Sequence, residues 1–126
     1  MTFMPHLAAV MLVIVGLIHL LPISGLLGSG RLKALYGLTI DDPNLLILMR
    51  HRSVLFGLLG AFLLYAAAHP ALWPIGYVAG AVSVVSFLWI TRSVGHANAH
   101  IARVVAADWI AVVCLLVGGV ALLATG

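Results

Sequence analysis

Four long apolar runs divide the chain, each bounded by turn-forming residues. A bilayer core of about 30 Å takes roughly 20 apolar residues of helix, and the runs have that length. The first covers about 4–22 and stops at Pro22, with Ser24, Gly25, Gly28 and Gly30 following as breakers. The second is announced by Asp41, Asp42 and Pro43, an acidic N-cap before a proline at the first helical position, and continues over 44–68. The third covers 71–91 with Pro74 in its first turn. The fourth starts between Ala97 and Ile101 and fills 101–124. The pattern predicts an all-α integral membrane four-helix bundle, a single transmembrane domain over 1–126. No Lys or Arg precedes the first run, so it is expected to be a permanent span rather than a cleaved signal peptide. The connection from Ile23 to Asp42 is too long for a simple hairpin. Leu32, Leu35, Tyr36 and Ile40 recur there at helical spacing beside Arg31 and Lys33, which predicts a short interfacial helix, with a plain covering loop as the alternative.

Composition closes off the other classes. The sequence is 64% hydrophobic and 7% charged, and six Lys/Arg with three acids cannot form the polar shell of a soluble domain. A formal charge of +3 spread over the whole chain is no nucleic-acid footprint. The single cysteine, Cys114, lies in an apolar run, which excludes a disulfide framework and a CxxC motif and reads as a buried small hydrophobe. Charge also orients the spans. Arg31, Lys33, Arg50, Arg52, Arg92 and Arg103 all belong to the side that holds the first and third connections, and the opposite side has no charged side chain. The positive-inside rule makes the basic loops cytoplasmic and puts both termini outside. Tyr65, Trp73 and Tyr77 near one surface, with Tyr36, Trp89 and Trp109 near the other, read as two interfacial aromatic belts.

Candidate chemistry concentrates at the basic side. A charge inside a span costs about 2.5–3.5 kcal/mol on insertion scales, so each one needs a reason. Arg50, His51 and Arg52 lie at the edge of the second span, where arginines can snorkel, whereas Asp108 is about one turn inside the fourth and too short to do so. Asp108 should therefore be either protonated or paired with Arg50 or Arg52 of another helix, the pair being a structural tie or part of a pocket with Arg103 and His51, and plain snorkelling of the arginines with no pair is the remaining alternative. His19, near the inner end of the first span, joins the same region. His96 and His100 are four apart and would share a face of a continuous helix, a weak metal-site candidate that no HExxH or CxxC accompanies. A haem held by His19 and His51 has no specific spacing behind it. Ser93-Val94-Gly95-His96 resembles a nucleotidyltransferase signature over four residues, but no strand–helix alternation exists to hold a nucleotide. Gly76 and Gly80 form a GxxxG stripe in the third span, and Gly57, Gly60 and Ala61 a similar patch in the second. These predict close packing of those two spans, with a homo-oligomer seam through Gly76/Gly80 as the alternative.

The glycine-rich first connection, Gly25 to Arg31, and the second-span run Arg50-His-Arg-Ser-Val-Leu-Phe-Gly-Leu-Leu-Gly60 resemble the DoxX-like group of small bacterial four-helix membrane proteins. That resemblance implies a bacterial inner-membrane protein. It implies architecture rather than a reaction, because the group is named after a subunit of a thiosulfate:quinone oxidoreductase and most relatives have no established activity. Two functions are expected from the residues. The leading one is a lipid-binding or accessory subunit without independent catalysis or cofactor, its Arg50, His51, Arg52, Arg103, Asp108 and His19 lining a cytoplasm-facing pocket or supporting a larger membrane complex. The alternative is a quinone-interacting oxidoreductase component, with Arg or His binding a carbonyl and Asp108 relaying protons.

Overall fold

The computed structural model describes residues 3–125. Among them are five α-helices: α1 (Phe3–Leu20), α2 (Ser29–Tyr36), α3 (Pro43–Ala67), α4 (Trp73–Val94) and α5 (Ala99–Thr125). α1 with the turn after it, α3, α4 with the turn before it, and α5 are each long and apolar enough to cross a membrane. Their ends follow local chemistry. Pro22 stops α1, and the chain tightens into a 3-10 segment, Leu21–Leu27. The Asp42 carboxylate accepts a hydrogen bond from the Asn44 amide at 2.8 Å and caps α3, with Pro43 at the first helical position. Asn98 does the same for α5, its Oδ1 accepting from the Ile101 amide at 2.8 Å.

α1 lies at the centre, packed between α3 and α5, and α4 closes the bundle, leaning more on α5 than on α3. The core is built from Ala8, Leu12 and Val15 of α1, Leu63 and Ala66 of α3, Tyr77 and Val84 of α4, and Ala111 and Cys114 of α5. Cys114 is buried and free, as the apolar run around it implied. Large side chains such as Leu58, Leu116, Val120 and Leu123 point outward, the inverse of a water-soluble surface and what a lipid environment requires.

Two packing expectations are corrected. The second-span glycines do not meet the third span. A Cβ at Gly60 would stand 2.8 Å from the Gly16 carbonyl oxygen of α1, and one at Gly57 would stand 2.6 Å from Ile23 after α1. The α3 glycines thus let α1 and its extension approach, and Ala61 is exposed. Gly76 and Gly80 are buried within the bundle: their Cβ positions would meet Ala66 and Leu12, and Leu115 and Val15, at 3.3–3.6 Å. The aromatic belts are also incomplete. Tyr65, Trp89 and Trp109 face outward, but Trp73, Tyr77 and Tyr36 turn inward. Their polar tips are satisfied inside: Trp73 donates to the Ala67 carbonyl, Tyr77 to the Ala8 carbonyl, and Tyr36 accepts from Arg52.

The first connection forms the expected short helix. Leu32, Tyr36 and Ile40 are buried and pack with Leu46 and Met49 of α3 and Ile101 and Val104 of α5, a second small core beneath the main one. α2 therefore covers the basic end of the bundle through its apolar face. At its end Gly37 adopts φ +69, a left-handed C-cap that returns its amide to the Lys33 carbonyl.

Candidate functional site: a pocket at the basic end

A cavity of about 290 Å³ lies between the basic ends of α1, α3, α4 and α5 above α2. Its walls are mainly apolar, with Ile18 and Leu21 on one side, Leu35 beneath, Phe56 and Phe87 across, and Val104 and Ala107 from α5. Into this lining project Arg52, Arg103, Asp108, His19, His100 and Tyr36. On α5 the contribution is one helical face, since His100, Arg103, Val104, Ala107 and Asp108 follow the 3–4 residue spacing.

Arg52 is the best-anchored cation. Its Nη1 donates to the Tyr36 hydroxyl at 2.6 Å, and its guanidinium lies over the Phe56 ring at 4.4 Å and the Tyr36 ring at 5.2 Å. Phe56 is one helical turn beyond Arg52, so this stacking follows from i,i+4 spacing. His19 is buried and fully engaged. Its Nδ1–H donates to the Val15 carbonyl at 2.8 Å, which in the neutral ring leaves Nε2 to accept from the Ser83 hydroxyl at 2.8 Å, and Phe56 stacks on it at 5.7 Å. It presents a ring to the cavity floor rather than a free polar atom.

The expected Asp108 ion pair is not formed. Arg50 lies off the pocket, its Nε donating to the Leu26 carbonyl at 2.8 Å, and Arg52 donates to Tyr36. Arg52 is the charged neighbour of Asp108, but among the described residues no basic nitrogen comes within 4.0 Å of its carboxylate. The guanidinium is engaged instead by the Tyr36 hydroxyl and by the Tyr36 and Phe56 rings.

Of the residues expected here, the structure brings together Arg52, Arg103, Asp108 and His19, and leaves Arg50 and His51 on exposed surface outside the lining. Three consecutive helical residues point about 100° apart, so 50, 51 and 52 cannot all face one cavity. His96 and His100 do not share a helix. α5 begins at Ala99 because Asn98 caps it, and His96 sits in the preceding turn at φ +58. His100 instead enters the pocket. Among the described residues no group of three His, Cys, Asp or Glu is placed to hold a metal. The sequence places Tyr36 in the short helix and in an aromatic belt and singles out neither Phe56 nor Phe87 as a pocket residue. Arg52 with Phe56, and His100 with Val104 and Asp108, carried the signal in their four-residue spacing. Phe87 and Tyr36 carried none, because their approach depends on how α4 and α2 dock.

No family model, curated protein or solved structure matches this chain.

Proposed function

We propose that the chain is a lipid-binding membrane protein whose basic-end pocket takes the head of an anionic amphiphile, without a reaction of its own. The charge balance of the cavity carries this reading: Arg52 and Arg103 face a single acid, Asp108, so the arginines of the lining exceed its carboxylates by one, which calls for one negative charge. A monoanionic head supplies that charge, and guanidinium groups offer phosphate or carboxylate oxygens paired donors. A cavity of about 290 Å³ suits a head and its first carbons, at the small end of ligand pockets. The basic end is assigned to the cytoplasm by the positive-inside rule, and the DoxX-like resemblance belongs to the same proposal.

The test is lipid retention. Arg52→Gln with Arg103→Gln should lower co-purified anionic lipid in native mass spectra at least tenfold, while Arg31→Gln and Arg92→Gln, outside the pocket, should leave it unchanged. Equal loss from both pairs would mean that only the surface charge of the basic end attracts lipid, and the pocket reading would fail. A second reading, a quinone component, draws on Asp108 and the aromatic side chains of Phe56 and Phe87 in the same lining. Organic extracts separate the two, since a quinone has a redox-sensitive ultraviolet spectrum and a phospholipid has none.

A further inference from the structure

Among the polar groups of the pocket, the side chains of Asp108, Arg103 and His100 make no hydrogen bond to any described residue, and Asp108 is the one acid of the lining. Tyr36 and Arg52 satisfy one another, and His19 is engaged by Val15 and Ser83. Asp108 is half-buried and its oxygens are open to the cavity, so in a mainly apolar lining without a protein donor it is left with a need for a donor that an occupant of the cavity must relieve. A bare anion does not relieve it. An anion bound by Arg52 and Arg103 would stand beside a second negative charge and be repelled, unless its head also offers a hydrogen-bond donor.

Resting on the lipid-head reading above, we propose that Asp108 is the specificity residue of this pocket. It accepts a hydrogen bond from a hydroxyl on the head of an anionic amphiphile whose charge is met by Arg52 and Arg103. A phosphoglycerol head has this chemistry: one negative charge on the phosphate and hydroxyl groups a few bonds away. Asp108 then turns a general attraction for anions into selection for anions that carry a donor, because a charged acceptor left unpaired against the wrong head penalises that head.

The experiment compares retention of phosphatidylglycerol and phosphatidylmethanol of the same acyl chains by the intact protein, in native mass spectra from detergent micelles. The two lipids carry the same single charge, and phosphatidylglycerol adds two hydroxyl-bearing carbons to the head. The wild type should retain phosphatidylglycerol at least tenfold better. Asp108→Asn, which keeps a neutral acceptor, should preserve part of the preference. Asp108→Leu should abolish it while still retaining phosphatidylmethanol. A merely structural role for Asp108 would lower both lipids together and leave the ratio unchanged, which would overturn the inference. Equal retention of the two lipids by the wild type, still lost in Arg52→Gln with Arg103→Gln, would also overturn it while leaving the lipid-head reading standing. Retention of neither lipid above the level of that double variant would overturn both.

Discussion

Gly60 sits where α3 crosses α1, and its missing side chain sets the distance between the two helices. A Cβ there would meet the Gly16 carbonyl oxygen at 2.8 Å and Leu20 at 2.9 Å, and a backbone atom cannot rotate out of the way. Gly60→Ala should therefore destabilise the protein by about 1–3 kcal/mol, the usual range for an overpacked core. Gly119 is also helical but has nothing within 4 Å of its Cβ position, so Gly119→Ala should be neutral or slightly stabilising. Thermal unfolding in detergent, followed by circular dichroism, measures both; equal midpoints would show that α1 and α3 can separate without loss. At this same scale, the sequence marks Asp108 and Arg52 as functional candidates because charges in a span are conspicuous. It gives no sign that the Tyr36 hydroxyl accepts from Arg52.

The element whose behaviour follows most directly from named contacts is α2. It is held over the pocket by its small apolar core and by two hydrogen bonds from other helices: Arg52 to the Tyr36 hydroxyl, and the Asn98 side-chain amide to the Tyr36 carbonyl at 2.8 Å. Tyr36→Phe keeps the ring and removes only the hydroxyl, at a cost of about 1 kcal/mol, or roughly fivefold in the opening of α2. Arg31 and Lys33 are exposed on α2, so opening can be read as trypsin cleavage at those residues, which should quicken about fivefold in the variant. An unchanged rate would mean that the apolar contacts of Leu32 and Ile40 alone hold the helix. Asn98→Ala should quicken cleavage as well, because it removes both the tie to Tyr36 and the cap of α5, the latter costing about 0.5–2 kcal/mol. The short helix was legible in the spacing of Leu32, Leu35, Tyr36 and Ile40. Its docking onto α3 and α5 was not, since an apolar face serves a membrane surface and a helical partner equally well.

Over the whole molecule, every Lys and Arg gathers at one end of four apolar helices. Single cysteines placed by Lys33→Cys and His69→Cys, each in a Cys114→Ala background, should react with a membrane-impermeant reagent from opposite faces of the bilayer. Reaction of both from one face would refute the four-span topology. Position 33 lies in α2 at the basic end and position 69 in the turn between α3 and α4 at the other, and both are exposed, so neither result can be blamed on burial. The distribution of apolar surface agrees with this placement: Leu58, Val78, Val113 and Leu116 face outward from the middle of their helices, where only lipid tails would meet them without penalty.

The four spans, the boundaries at Pro22 and Pro43, the common basic end and the short helix between the first two spans are all legible in the linear pattern of residues. These depend on local rules: apolar length against bilayer thickness, capping residues, proline and the placement of charge. Which partner each small residue faces, and which polar groups meet in the pocket, depends on how the helices dock. Gly60 could have received α4 as readily as α1, because a glycine stripe specifies close approach and not the helix that approaches. Arg52, whose depth suggested a pair with Asp108, meets the Tyr36 hydroxyl and the Phe56 ring instead. Helix rotation and docking are settled by many weak packing contacts made together across elements far apart in the chain, and no single window of sequence contains them.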